Sequence, residues 1–237
     1  MSYTYASTVS SLANMLVIDP TNAEFLAMIP NAIDDAEQRI YRELDLLSTI
    51  VRDTSGNLTA NSRNFTLPQT SGRFVVSESI SVFTPVGTTT SRRQLVPVTR
   101  EFLDAVWGDE TAVSASSIPE YYAMITDQTI IVGPSPGAAY TMEVTGTIRP
   151  TPLSVTNTTT YLTLYLPDLW FSAMLVYGYG YCKDFGAAVD DPQAPVNWSN
   201  HFERLLVSAN TEENRKKYAS QAWTPKQPAP LATPARV

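Results

Sequence analysis

Gly133-Pro134-Ser135-Pro136-Gly137 matches, letter for letter, the G-x-S-x-G turn that presents a nucleophilic serine in acyl hydrolases. The mechanism refuses the match. In that turn the residue after the serine donates a backbone N–H to the oxyanion, and Pro136 has none. The turn must also open into a helix, whereas AAYTMEV alternates like a strand, so a turn between two strands is expected. His201 is the only histidine, and neither zinc-ligand spacing nor a partner for acid/base work accompanies it. Cys182, the single cysteine, cannot form an intrachain disulfide and reads as a small core residue. The acid pairs Asp34-Asp35, Asp109-Glu110 and Asp190-Asp191 are adjacent in sequence, where side chains point apart, so solvated faces and caps are expected.

Tyr177, Tyr179 and Tyr181 alternate with Gly178 and Gly180; on a helix, three alternate residues cannot form one stacking platform. Arg215, Lys216 and Lys217 stand beside Glu212 and Glu213, a pattern of a solvated helix end or of a patch for an acidic partner. The Asn-x-Ser/Thr triplets at Asn57, Asn64, Asn157 and Asn197 carry no weight in so Ser/Thr-rich a chain. No phosphate loop or dinucleotide fingerprint occurs. The expectation is a protein with no catalytic, cofactor-binding or metal site. Glu101 and Glu120 are the acids a rival hydrolase reading would have to use.

The elements that position these residues begin with residues 159–186, a helix started at Pro167 and Asp168 and apolar on nearly every side. Its apolar run from Trp170 to Cys182 falls short of the roughly 20 residues that cross a bilayer. Protein must therefore cover it all round. Two glycines inside a helix cost about 1 kcal/mol each, so the Gly178 and Gly180 pair predicts a close approach by a second helix, from the N-terminal segment or a neighbouring subunit. Upstream, residues 4–18 predict a short helix and Thr21 or Asn22 caps a second, which Pro30 interrupts. A further helix then carries the stripe Ile33, Ala36, Ile40, Leu44 and Leu47, with Pro30 in its first turn.

From about residue 49 the pattern changes to β-branched runs between turns: STIVRD, NFTLP, RFVVSESISVFTP, EYYAMI, TIIVG and YTMEVTGTIRP. The last alternates Met142, Val144 and Ile148 on one face, and a short helix capped by Thr99, with Glu101 in its first turn, interrupts the series. After the buried helix, Trp198, Phe202, Leu205, Leu206 and Ala209 keep helical spacing, while Asn210 to Lys217 is polar all round and is expected to leave the core. WTPKQPAPLATPARV has no means of forming helix or ladder and reads as an extended tail. The fold class is thus α+β: a helical bundle of residues 1–48 and 160–222, an inserted antiparallel β-sandwich or barrel of 49–159, and an extended Pro-rich tail of 223–237.

Net charge is −7 with a pI near 4.7, which argues against gripping phosphate backbones. The charge is uneven: residues 1–200 hold 10 Lys/Arg against 20 Asp/Glu, and residues 201–237 hold 6 against 3. MSYTYAST lacks a basic start and an apolar stretch, so no secretory signal and synthesis in a reducing cytoplasm are expected.

The order FLAMIPNAIDDAEQRIYRELDLL, VPVTREFLDAVWGD, PEYYAMITDQTIIVGPSPGAAYTMEVTGTIRPTPLS and TTYLTLYLPDLWFSAMLVYGYGYCKDFG resembles the head-to-tail adaptors of short-tailed bacteriophages, the tail tubular protein A or gateway family. The resemblance runs over most of residues 22–222. It implies a structural virion protein of the tail neck, twelve copies in a ring between the portal protein and the tail nozzle or tail tube protein. Double-stranded DNA would pass through the lumen without specific binding on ejection, and no membrane would be involved. Position alone makes Trp223, Pro225, Pro228, Pro230 and Leu231 the expected portal-binding residues. A virion-associated cell-wall hydrolase and another head or tail accessory protein are the alternative readings.

Overall fold

A computed structural model describes residues 2–86, 89–108, 117–181 and 193–219. The fold is α+β, with six α-helices and nine strands among the described residues. The helices draw on both halves of the chain: α1 (Tyr5–Leu16), α2 (Ala23–Glu43), α4 (Tyr161–Tyr165), α5 (Pro167–Tyr181) and α6 (Ala194–Ala219) share one apolar core. α3 (Arg100–Val106) stands apart from it, within the strand-rich stretch.

α5 is the hub, touched by α1, α2, α4 and α6, which is the all-round cover its sequence demands. Its Trp170, Met174 and Leu175 are fully enclosed. α1 opens with a reciprocal cap between Thr4 and Ser7 and stops where Val17 turns left-handed, at φ 57°. Pro30 does not begin a new helix. α2 runs unbroken through it, because Phe25, Met28 and Ile29 before the proline and Ala32, Ile33, Ala36 and Ile40 after it fall on one buried face. Burial of that continuous stripe offsets the roughly 3 kcal/mol that an interior proline costs. α4 is a single turn that no sequence period announces; Thr160 and Thr163 cap each other at its start.

The strands form two sheets. The first has the order β1 (Ile50–Asp53), β9 (Tyr140–Pro150), β4 (Gly72–Val86), β5 (Thr89–Gln94), with β2 (Asn57–Leu58) also on β9. The second runs β3 (Asn64–Thr66), β8 (Thr129–Gly133), β7 (Tyr121–Thr126), β6 (Val96–Pro97). Pairing is antiparallel throughout except for the short parallel match of β6 with β7. Among the described residues no strand belongs to both sheets, so the architecture is a sandwich and not a closed barrel. Phe74, Ile80, Met142, Val144 and Ile148 of the first sheet meet Phe65, Tyr122, Ile130 and Val132 of the second between the layers. α3, capped by Thr99, lays Leu103 and Trp107 on the outer side of the second sheet against Tyr121, Ala123 and Ile131. β8 is buried on both faces for that reason, and it reads TIIV without alternation.

The far end of α6 departs from expectation. It does not leave the core. Glu213 lies four residues beyond Ala209 on the inward stripe and is only 1 % exposed. Its carboxylate accepts the Leu47 N–H at 3.1 Å and the Lys216 ammonium at 2.7 Å. Lys216 also reaches the Tyr161 hydroxyl, and Lys217 pairs with Asp45. Polar residues thus replace apolar ones on the stripe without ending it.

Candidate functional site

The serine of the GPSPG segment sits in the turn between β8 and β9, only 3 % exposed. Asn61 N–H donates to Pro136 O at 2.9 Å and Gly137 N–H to Ser117 O at 2.9 Å, which pins the turn to neighbouring loops. His201 is on α6, its ring edge-on to Trp198 with the centroids 5.6 Å apart. Glu101 and Glu120 are both exposed, on α3 and just before β7. Asp34 accepts from Gln38 at 2.6 Å along the helix, whereas Asp35 turns toward Tyr177. Among the described residues no three His, Cys, Asp or Glu side chains gather, and no helix is long and apolar enough to cross a membrane. Asp109-Glu110, Cys182, Asp190-Asp191, Trp223, Pro225, Pro228, Pro230 and Leu231 lie outside the described residues.

Buried charge is spent on joints. Glu37 of α2, 2 % exposed, accepts the N–H of Leu153 at 3.2 Å and so ties the chain returning from β9 to the helical core. Burial pushes its carboxyl up to about 7, beyond what the Leu153 hydrogen bond restores, and Asp34 adds to the rise. The same burial, with Glu37 nearby, pushes the Tyr41 hydroxyl up. On the outer face of the first sheet, Arg52 of β1 and Arg92 of β5 both pair with the fully enclosed carboxylate of Glu143 on β9, a clamp across four strands. Arg63, 3 % exposed, donates to the carbonyls of Val132 (3.2 Å) and Trp107 (2.7 Å), fastening α3 to the second sheet.

One concavity among the described residues is a groove of about 530 Å³ between the first half of α2 and the end of α5. Buried Met28 and Ala32 give it an apolar floor, and Glu24, Ala27, Asn31, Asp35, Tyr177 and Tyr181 complete its lining. Tyr179 points inward, 7 % exposed, and donates to Met15 O at 3.3 Å. Three tyrosines therefore share no surface, as their spacing requires, but Tyr177 and Tyr181 do, and their i,i+4 spacing is the sequence signal for it. The glycines divide likewise. A Cβ on Gly178 would meet Leu16 Cδ1 at 3.0 Å and Leu12 Cδ1 at 3.2 Å, so α1 makes the expected close approach there, through side chains. Gly180 has nothing within 4 Å and faces no second helix among the described residues.

An apolar floor with an acidic, aromatic rim suits docking of a protein segment, and the groups needed for covalent chemistry are dispersed. The family model described as SU10 adaptor protein matches residues 3–229. No curated protein matches the chain.

Proposed function

The chain belongs to the SU10 adaptor protein family, structural adaptors of bacteriophages, and from that premise we propose that it is a neck component of the virion, twelve copies forming a ring between portal and tail nozzle. The observation that carries the reading is the extent of the match, from the first turn of α1 to beyond α6. An acidic chain, net −7, supports a channel role, since repulsion lets DNA slide through where phosphate contacts would hold it. Dispersed polar groups and a peptide-sized groove fit an adaptor better than a hydrolase.

The division of labour proposed is a helical unit of residues 1–48 and 160–222, a sandwich of 49–159 and a docking tail of 223–237. Trp223, Pro225, Pro228, Pro230 and Leu231 are the portal anchors in this reading, because prolines reduce the entropy lost when an extended segment is ordered. Electron microscopy of the purified protein mixed with portal tests the ring: a twelvefold ring beneath the portal is expected, and a free monomer or trimer refutes it. Deleting residues 223–237 is expected to leave a folded protein that no longer joins portal; unimpaired co-assembly would remove the anchors from the proposal.

A further inference from the structure

We propose that the outer stripe of α6 in one copy seats in the acidic groove between α2 and α5 of the next copy, and that this is the contact which closes the ring. The proposal rests on the ring reading above and adds the surfaces to it.

The groove offers apolar floor and unspent negative charge: neither the Glu24 nor the Asp35 carboxylate takes an ion pair among the described residues. α6 offers the complement. Its inner stripe of Phe202, Ala209 and Glu213 is buried, while Arg204, Val207, Thr211, Arg215 and Tyr218 recur at three and four residues on the opposite, exposed side. Val207 and Tyr218 are each 68 % exposed, large apolar groups in water on an otherwise polar helix face. Arg204 and Arg215 take no ion pair among the described residues.

The spacings agree. From 24 to 35 on α2 and from 204 to 215 on α6 the interval is the same, eleven residues. Three turns of helix take about 10.8 residues, so each pair lies on one face with its members about 16 Å apart. Two helices laid side by side can then set both arginines on both carboxylates, with Val207 over Met28 and Ala32, which is helix-in-groove recognition. The inner side of α6 is committed to α5 of its own chain, so its outer stripe reaches only a groove on another copy. Two different patches on one molecule make a heterologous contact, the kind that generates rings.

The test uses two full-length variants. Arg204→Glu with Arg215→Glu sets an acidic stripe against an acidic groove, and Glu24→Lys with Asp35→Lys sets a basic groove against a basic stripe. Each alone is expected to lose the ring, with association weaker by on the order of 100-fold, as like charges oppose across the interface. Their equimolar mixture should restore rings of alternating chains, because each variant's stripe then meets the opposite charge. Native mass spectrometry reads the assemblies and circular dichroism reads the fold. Folded variants that assemble alone, or a mixture that stays dissociated while the unmodified chain forms rings, overturn this contact and leave the ring reading standing. An unmodified chain that forms no ring, alone or with portal, overturns both.

Discussion

Glu37 is a buried residue whose ionisation bears directly on stability. Its carboxyl titrates near 7 in the folded chain and near 4.5 when unfolded, so the folded state holds the proton more tightly. Stability from this group is therefore full below about pH 4.5 and falls as pH rises to about 7, a loss of roughly 3 kcal/mol that is then complete. Denaturant unfolding should show a less stable protein at pH 8 than at pH 5.5. Glu37→Gln keeps an oxygen for the Leu153 N–H and should flatten that difference by raising stability at pH 8; equal stability of the unmodified protein at both pH values would contradict the assignment. At this scale the sequence was informative mainly about what is absent. Pro136 excluded the oxyanion hole by itself, since a missing N–H is a property of the letter. Glu37, Glu143 and Glu213 could not be recognised as buried, because a charged letter on a helix or strand normally reads as solvated, and only tertiary partners reverse that.

Among elements, α5 was the most legible: a helix without a polar face admits one reading, and four helices surround it. Its two glycines make opposite predictions. Gly180→Ala places a methyl in open space and should raise stability by about 0.5–1 kcal/mol through helix propensity. Gly178→Ala presses on Leu12 and Leu16, so its gain should be smaller or reversed; thermal melts of the two variants that agree would contradict the packing. α2 was read in two pieces because Pro30 is a strong local stop signal, and burial of the flanking stripes outweighs it. β5 was not foreseen, since TTSRRQ has no apolar alternation and owes its ladder wholly to β4. The polar end of α6 was misjudged for a related reason: Glu213 occupies an apolar stripe position and satisfies itself with Leu47 and Lys216. Glu213→Ala should orphan the Leu47 N–H and cost about 1–3 kcal/mol in chemical denaturation, whereas a truly solvated end would lose almost nothing.

For the whole molecule, the α+β class and the insertion of strands between helical segments were readable from a change of hydrophobic period, from helical to alternating near residue 49 and back near 160. The pairing order was not, because β9 lies between β1 and β4 by contacts distant in sequence. Surface chemistry followed the uneven charge only in part: the basic excess near the C-terminus was visible, but its partition into an inward Lys216 and an outward Arg204 and Arg215 needed the helix phase. The helical core also has a consequence in time. α1 and α2 leave the ribosome early, yet α5, the helix they pack against, is translated more than a hundred residues later. At bacterial elongation rates that is a wait on the order of ten seconds. All the described strands are translated before α5; the helical core is still incomplete at that point. A prematurely terminated chain thus holds every described strand but lacks the helix against which α1 and α2 pack.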